Sequence, residues 1–434
     1  MNLESLSLVQ AASDIRNGKL SPVEYIQALF TRIERVEPQI EAWVTLNRDA
    51  AFVEARACEA EARQKKFRGH LHGVPVGVKD IFHTKGLRTT AGSRFFENFA
   101  PESDARCVEQ LKKAGAIILG KCVTTEFATF DPGPTKNPWN TAHTPGGSSS
   151  GSAAAVAAEM CPGATGSQTV ASIGRPAAFC GVAGLMPTQQ RISREGVFPV
   201  SWSLDHIGAF GRTAADVEMM LAGMTELPVT RFRTPNRIRF GVIHDFFRAR
   251  ATEEARTLMD GIVKKLADAK HQINEVRLPP IFDIATPSLM TIMRSEIGSA
   301  HEGLHRENSA RYGKRLRALV ETGMLIDAGA YLRALRIRRL FQQEMRVCFK
   351  SADVLITPGA LGPAPQGLAY TGDPVLSGPW TLADFPTLTI PTSLASNGMP
   401  VGIQVTAPPM QDSLLLSIGK AMEEVIEFRS RPPI

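Results

Sequence analysis

The sequence predicts an α/β protein, and three features carry that prediction. From Arg237 onward the chain reads strand (Ile238 to Ile243), helix (Thr252 to Ala269), strand (Ile273 to Leu278), an alternation that builds a sheet with helices on its faces. Gly73 to Phe82 fits a buried strand, the residues before Lys79 being apolar or glycine. Capped helical segments stand ahead of it. With 434 residues, 43% hydrophobic and 21% charged, the chain can bury a large core.

Taken in order, Ser7 to Asn17 and Ser21 to Val36 read as helices. Ser21 supplies an N-cap, Pro22 suits the first helical position, and Glu37-Pro38 is expected to stop the second helix. Ala50 to Lys66 is a third, alanine-rich helix, so residues 1–70 are expected to form a helical layer at the domain edge. The strand from Gly73 then delivers Lys79 among apolar neighbours. Such a lysine either snorkels to solvent from the strand end or stays desolvated. In the second case its pKa falls and the neutral amine can act as a base. Asp104 to Ala114 reads as a helix and Ile117 to Lys121 as a short strand. Thr213 to Asp216 caps a later helix. Ser288 to Phe349 is largely helical and arginine-rich, Val354–Thr357, Thr387–Ile390 and Val401–Val405 read as strands, and Asp412 to Phe428 closes the chain as a helix. Pro358 to Pro374, rich in glycine and proline, reads as a loop beside a pocket.

The stretch Thr144 to Val182 (TPGGSSSGSAAAVAAEMCPGATGSQTVASIGRPAAFCGV) organises the rest. It holds almost no bulky or charged residue, so backbone and ligand can approach closely. Two serine clusters lie in it, Ser148-Ser149-Ser150 and Ser172, with an alanine-rich helix former, Ser152 to Ala158, between them. A polar glycine loop opening a helix directs N–H groups at one point, which suits an anion or a developing oxyanion. A flexible linker would not contain that helix. A phosphate-binding loop would continue into Gly-Lys-Ser/Thr, which is missing. Gly147-Ser148-Ser149-Ser150-Gly151 matches Gly-x-Ser-x-Gly, but that elbow follows a strand, and Asn137 to His143 reads as a loop.

Thr144-Pro-Gly-Gly-Ser-Ser-Ser-Gly-Ser-Ala-Ala-Ala-Val-Ala-Ala158, followed by Gly166-Ser-Gln-Thr-Val-Ala-Ser-Ile-Gly-Arg-Pro-Ala-Ala178, resembles the signature of the amidase signature family. The likeness runs from about Leu71 to Asp216 and returns near the C-terminus. It implies a single large domain over residues 1–434, with a central mixed β-sheet covered on both faces by helices. Residues 71–216 would be the catalytic core and 280–350 a variable helical region around the pocket. It further implies hydrolysis of a linear carboxylic amide by a Ser–Ser–Lys triad: Ser172 as nucleophile, Ser148 as bridging serine after a cis Gly147–Ser148 peptide, and Lys79 as base. Backbone N–H groups of Thr169, Val170, Ala171 and Ser172 would form the oxyanion hole, with Ser149, Gln168 and Arg175 as substrate contacts. Arg175 has a second role open to it, a structural arginine paired with a buried carboxylate.

Departures from the family pattern bear on function. Val170-Ala171 stand where many relatives have two glycines. Arg175 lies three residues after Ser172, whereas the catalytic chains of tRNA-dependent amidotransferases usually carry the arginine at two. Met186 and Gln189-Gln190 replace residues that are often lysine and Tyr-Gly. The first expectation is therefore a stand-alone amidase on a small-molecule substrate, with room for a homodimer. The alternatives are the catalytic chain of an amidotransferase complex serving glutaminyl- or asparaginyl-tRNA formation, and a hydrolase of urea derivatives such as carboxybiuret or allophanate. His83 and His206 are expected to be structural.

Composition narrows the remaining classes. A net charge of +6 without a basic block gives no sign of nucleic-acid binding. Six cysteines without a C-x-x-C pair suggest neither a zinc nor a redox site, and no metal or other cofactor is expected. No run of eighteen apolar residues and no basic-then-apolar leader is read, so a cytoplasmic protein without membrane association is expected.

Overall fold

The computed structural model describes residues 2–226 and 232–434. Ser21 caps the helix Pro22–Ile40 by accepting from the N–H groups of Val23 and Glu24 at 3.1 and 3.2 Å. That helix does not stop at Pro38, as the sequence led us to expect, but runs to Ile40 and ends at Glu41 in the left-handed region. Proline removes only one ladder bond, and here the last turn is closed from outside. The Glu37 carboxylate accepts from Ala42 and Trp43 N–H at 3.0 and 2.8 Å, supplying partners for the chain as it leaves the helix.

Eleven strands among the described residues form one sheet: β1 (Trp43–Leu46), β2 (Pro75–Lys79), β3 (Ile117–Cys122), β4 (Gly163–Gln168), β5 (Ala183–Met186), β6 (His206–Gly211), β7 (Arg239–Ile243), β8 (Gln272–Val276), β9 (Val354–Pro358), β10 (Thr387–Leu394) and β11 (Pro400–Thr406). Their order is β1-β3-β2-β4-β6-β5-β10-β11-β9-β7-β8. Strands β3-β2-β4 and β9-β7-β8 run parallel, while the other neighbours are antiparallel, so the sheet is mixed and flanked by helices as expected. The segment 280–350 is helical over Ala285–Ala300, Glu302–Asn308, Lys314–Met324 and Ala328–Met345.

Parallel β2 and β4 end together, and this edge carries the site. Lys79 is the last residue of β2 and Gln168 the last of β4. The middle of the sheet uses small residues because its neighbours approach closely. A Cβ on Gly166 would lie 2.6 Å from the Phe210 ring. At Gly151, in the helix Ser150–Ala157, a Cβ would collide with the backbone of Ala42 and Val123.

Candidate active site

Lys79 reaches the site from a strand whose five residues are all buried, and its own side chain is fully enclosed. Thr165 and Ser167, two apart and so on one face of β4, both meet it. Lys79 N–H donates to Thr165 Oγ1 at 2.9 Å, and its Nζ lies 2.8 Å from Ser167 Oγ and 2.8 Å from Ser148 Oγ. Burial pushes the amine well below the ordinary lysine value, opposed only in part by Asp205. The neighbouring carboxylate, Asp80, belongs to a different pair. It lies 3.5 Å from Lys121 and accepts from Thr90 N–H and hydroxyl. Lys79 is thus left with two hydroxyls and no carboxylate at contact distance among the described residues, an environment that favours the neutral amine.

Ser148 is held from both sides. The Gly147–Ser148 peptide is cis, as the family resemblance implied. Arg175 Nη2 donates to Gly147 O at 2.7 Å, and Thr125 N–H donates to Ser148 O at 3.1 Å. Ser172, 9% exposed, stands at the rim of the enclosed residues, just before the helix Gly174–Cys180. Neither of the two hydroxyls on Lys79 Nζ is that of Ser172. Relay hydrogen bonds of this kind often tighten only when substrate is bound.

The loop from Thr169 to Ser172 is shaped by its flanks. Gln168 Oε1 accepts from both Ile173 and Gly174 N–H at 3.0 Å. Thr169 donates its hydroxyl to Asp205 Oδ1 at 2.5 Å, while Asp205 Oδ2 accepts from Val200 and Ser201 N–H at 2.9 and 3.0 Å. Among the described residues the N–H groups of Thr169, Val170, Ala171 and Ser172 meet no acceptor. Four adjacent free donors leading to a serine hydroxyl can stabilise an oxyanion formed on it.

Two expected substrate contacts do not face this opening. Ser149 is buried and bonded to the β4 backbone, its hydroxyl 3.3 Å from Ser167 O and 3.4 Å from Ser167 N. Gln168 is buried too, its oxygen on the two N–H groups and its Nε2 on Met186 Sδ and Thr381 Oγ1 at 2.9 and 3.2 Å. The side-chain alternation of β4 turns Gln168 to the face opposite Ser167, while Ser149, at the start of the helix Ser150–Ala157, is held against the β4 backbone. Arg175 is buried as well, but the carboxylate partner expected for a structural role is not what it meets. Its guanidinium donates to Gly372 O at 2.5 Å, Gly147 O at 2.7 Å and Thr371 Oγ1 at 3.0 Å. Backbone carbonyls take the place of the carboxylate. His206 meets Leu204 O and Asp384, and His83 packs edge-on against Phe99 and Phe198, so neither contacts the serines.

The sequence reading missed Ser167, Asp205, Thr371 and Thr381. A Thr-x-Ser alternation at 165 and 167 was a signal for the first. Asp205 stands in a segment, Ser203 to Gly208, that also resembles the family pattern, while Thr371 and Thr381 come from distant segments and had no signal.

Comparison with known proteins gives one consistent picture. The family model described as Amidase matches residues 24–416. The chain is 35% identical over 482 residues to the A chain of the glutamyl-tRNA(Gln) amidotransferase of Methylococcus capsulatus, covering 98% of each protein. Among solved structures, it superposes with a TM-score of 0.90 at 28% identity, over 99% of this chain and 100% of the other, on a chain from a vestigial complex described as revealing the evolutionary origins of an s-triazine catabolic enzyme. On the peptide amidase of Stenotrophomonas maltophilia the TM-score is 0.84 at 26% identity, over 99% and 98% of the two chains.

Proposed function

This chain belongs to the amidase family, and from that premise we propose that it cleaves the C–N bond of a carboxamide through an acyl-enzyme on Ser172. The observation that carries the reading is the buried Lys79 amine 2.8 Å from Ser148 Oγ, with the unpaired N–H groups of Thr169 to Ser172 leading to the Ser172 hydroxyl. Ser172 Oγ attacks the amide carbon. Its proton passes to Ser148, and the Ser148 proton passes to the neutral Lys79 amine. The oxyanion is held by backbone N–H groups of the loop Thr169 to Ser172. The proton returns along the same path to the departing nitrogen, which leaves as ammonia or amine. Water then enters, loses its proton to the relay and releases the carboxylate.

On the sequence alone the stand-alone amidase stood first. The 35% identity to the A chain of a glutamyl-tRNA(Gln) amidotransferase, across 98% of both proteins, favours the other order: an ammonia-releasing component that works with partner proteins. The position of Arg175 and the peptide amidase likeness favour a second reading, a stand-alone amidase. Both share the same chemistry at Ser172. Ammonia release from glutamine and from aliphatic, aromatic, dicarboxylic-acid and urea-derived amides separates them, measured with and without the other components of an amidotransferase. Glutamine turnover raised by those components supports the amidotransferase reading, and brisk turnover of simple amides by the chain alone supports the amidase. No release from any of them, with Ser172 unreactive to a fluorophosphonate, overturns the proposal.

A further inference from the structure

We infer that Thr381, in the helix Gly378–Ala383, is a positioning residue that aims the oxyanion donors, acting with Gln168; this rests on the acyl-enzyme chemistry proposed for Ser172. Gln168 has one orientation that satisfies its surroundings. Its oxygen must face the two N–H groups of Ile173 and Gly174, because those need an acceptor. Its Nε2 therefore points at Thr381 Oγ1, 3.2 Å away. The threonine hydroxyl accepts that bond and has a single proton left to give. Val170 O lies 3.3 Å away and Met186 Sδ 3.5 Å away, and the carbonyl is the stronger acceptor, so the proton goes to Val170 O. Thr381 and Gln168 are fully buried, so no water competes for these partners.

The consequence follows from peptide geometry. The Val170–Ala171 peptide is trans, and in a trans peptide C=O and N–H point in opposite directions. Holding Val170 O toward Thr381 directs the Ala171 N–H the other way. One bond further on, Ala171 O accepts from Arg175 N–H at 3.1 Å, which directs the Ser172 N–H away from the helix in the same manner. Glycine at these two positions would leave the backbone wide freedom, and Val170 and Ala171 stand there instead. Side chains restrict that freedom, and an external carbonyl anchor fixes what remains. Thr381 lies more than two hundred residues from the loop in sequence and belongs to none of the motifs that carry the family resemblance.

Thr381→Val removes the hydroxyl and keeps the shape, and Thr381→Ser restores the hydroxyl. The expected result is a fall in kcat of about tenfold or more for Thr381→Val, below the ~10²–10³ that loss of a whole oxyanion donor costs, with KM little changed. Inhibition by a boronic acid that forms a tetrahedral adduct should weaken by the same factor, and Ser172 labelling by a fluorophosphonate should slow. Thr381→Ser should recover most of each. The acid limb of the pH–rate profile should keep its position, since Lys79 is untouched. If Thr381→Val does not fold, Thr381→Ala is measured in its place. Wild-type labelling at Ser172 with an equal rate in the folded variant overturns the positioning role alone. A wild-type protein that is not labelled at Ser172 overturns the acyl-enzyme reading and this one with it.

Discussion

Arg175→Met tests what the guanidinium is for. The substitution keeps a stem of similar volume and deletes three hydrogen bonds, to Gly147 O, Gly372 O and Thr371 Oγ1. Bonds to a charged donor contribute about 1.5–3 kcal/mol each, so the three together come to roughly 5–9 kcal/mol. Burial works against them. It lowers the Arg175 pKa from the ordinary arginine value to about 10, a shift equivalent to about 3 kcal/mol of disfavoured charge. The expected net loss is about 2–6 kcal/mol, a large share of the ~5–15 kcal/mol that holds a typical protein folded. Guanidinium-chloride unfolding, followed by tryptophan fluorescence, measures it directly. Function should fall as well, because Gly147 O belongs to the peptide that carries Ser148. Below the unfolding transition, kcat should drop on neutral and acidic amides alike. Arg175→Lys should not rescue it, since one ammonium cannot span three diverging acceptors. Stability within about 0.5 kcal/mol of wild type, together with a rise in KM confined to acidic amides, would refute this reasoning and make Arg175 a substrate clamp.

Ser172→Ala should abolish hydrolysis and leave stability nearly unchanged, and a fluorophosphonate or sulfonyl fluoride should label Ser172 alone. Ser149 is bonded to β4, and burial pushes the Cys180 thiol up, so a label found by mass spectrometry on either residue would sink the assignment. Lys79→Met should also be inactive, and it should change how stability depends on pH. The folded pKa of Lys79 lies below its unfolded value of 10.5. Between the two, the unfolded chain binds a proton that the folded chain does not, so wild-type stability rises with pH across that window. Denaturant midpoints taken from about pH 6 to pH 10 should show the gap between wild type and Lys79→Met changing steadily in favour of wild type. Parallel curves would mean that Lys79 is not desolvated.

Much of the fold was legible because its signals are local. Ser21-Pro22 opens a helix wherever it stands before a good helix former, and the alternation after Arg237 reads as strand–helix–strand without reference to anything else. Strand β4 was not legible. Gly163-Ala-Thr-Gly-Ser-Gln168 has low strand propensity, and it is extended because β2 and β6 accept it on either side. Pro38 failed in the opposite direction: a strong local stop signal yielded to the Glu37 carboxylate, which closes the helix end.

The site divides in the same way. Lys79, Ser148 and Ser172 were legible in the sequence as the proposed base, relay and nucleophile, because each stands within a recognisable motif, and the fold brings Lys79 Nζ to 2.8 Å from Ser148 Oγ. The sequence also carried the small residues that let the loops approach. What it could not carry is direction. Ser149 and Gln168, expected as substrate contacts, sit between those residues in the chain, yet the pleat of β4 turns Gln168 inward and the helix start at Ser150 seats Ser149 against the Ser167 backbone. Arg175 was expected to find a carboxylate and found three acceptors from segments far away in sequence. Which way a side chain points, and which distant oxygen or N–H meets it, depends on strand register and on contacts such as Thr381 with Val170 that exist only once the sheet has closed. Residue chemistry is written locally, whereas hydrogen-bond partners are chosen by the packing of the whole chain.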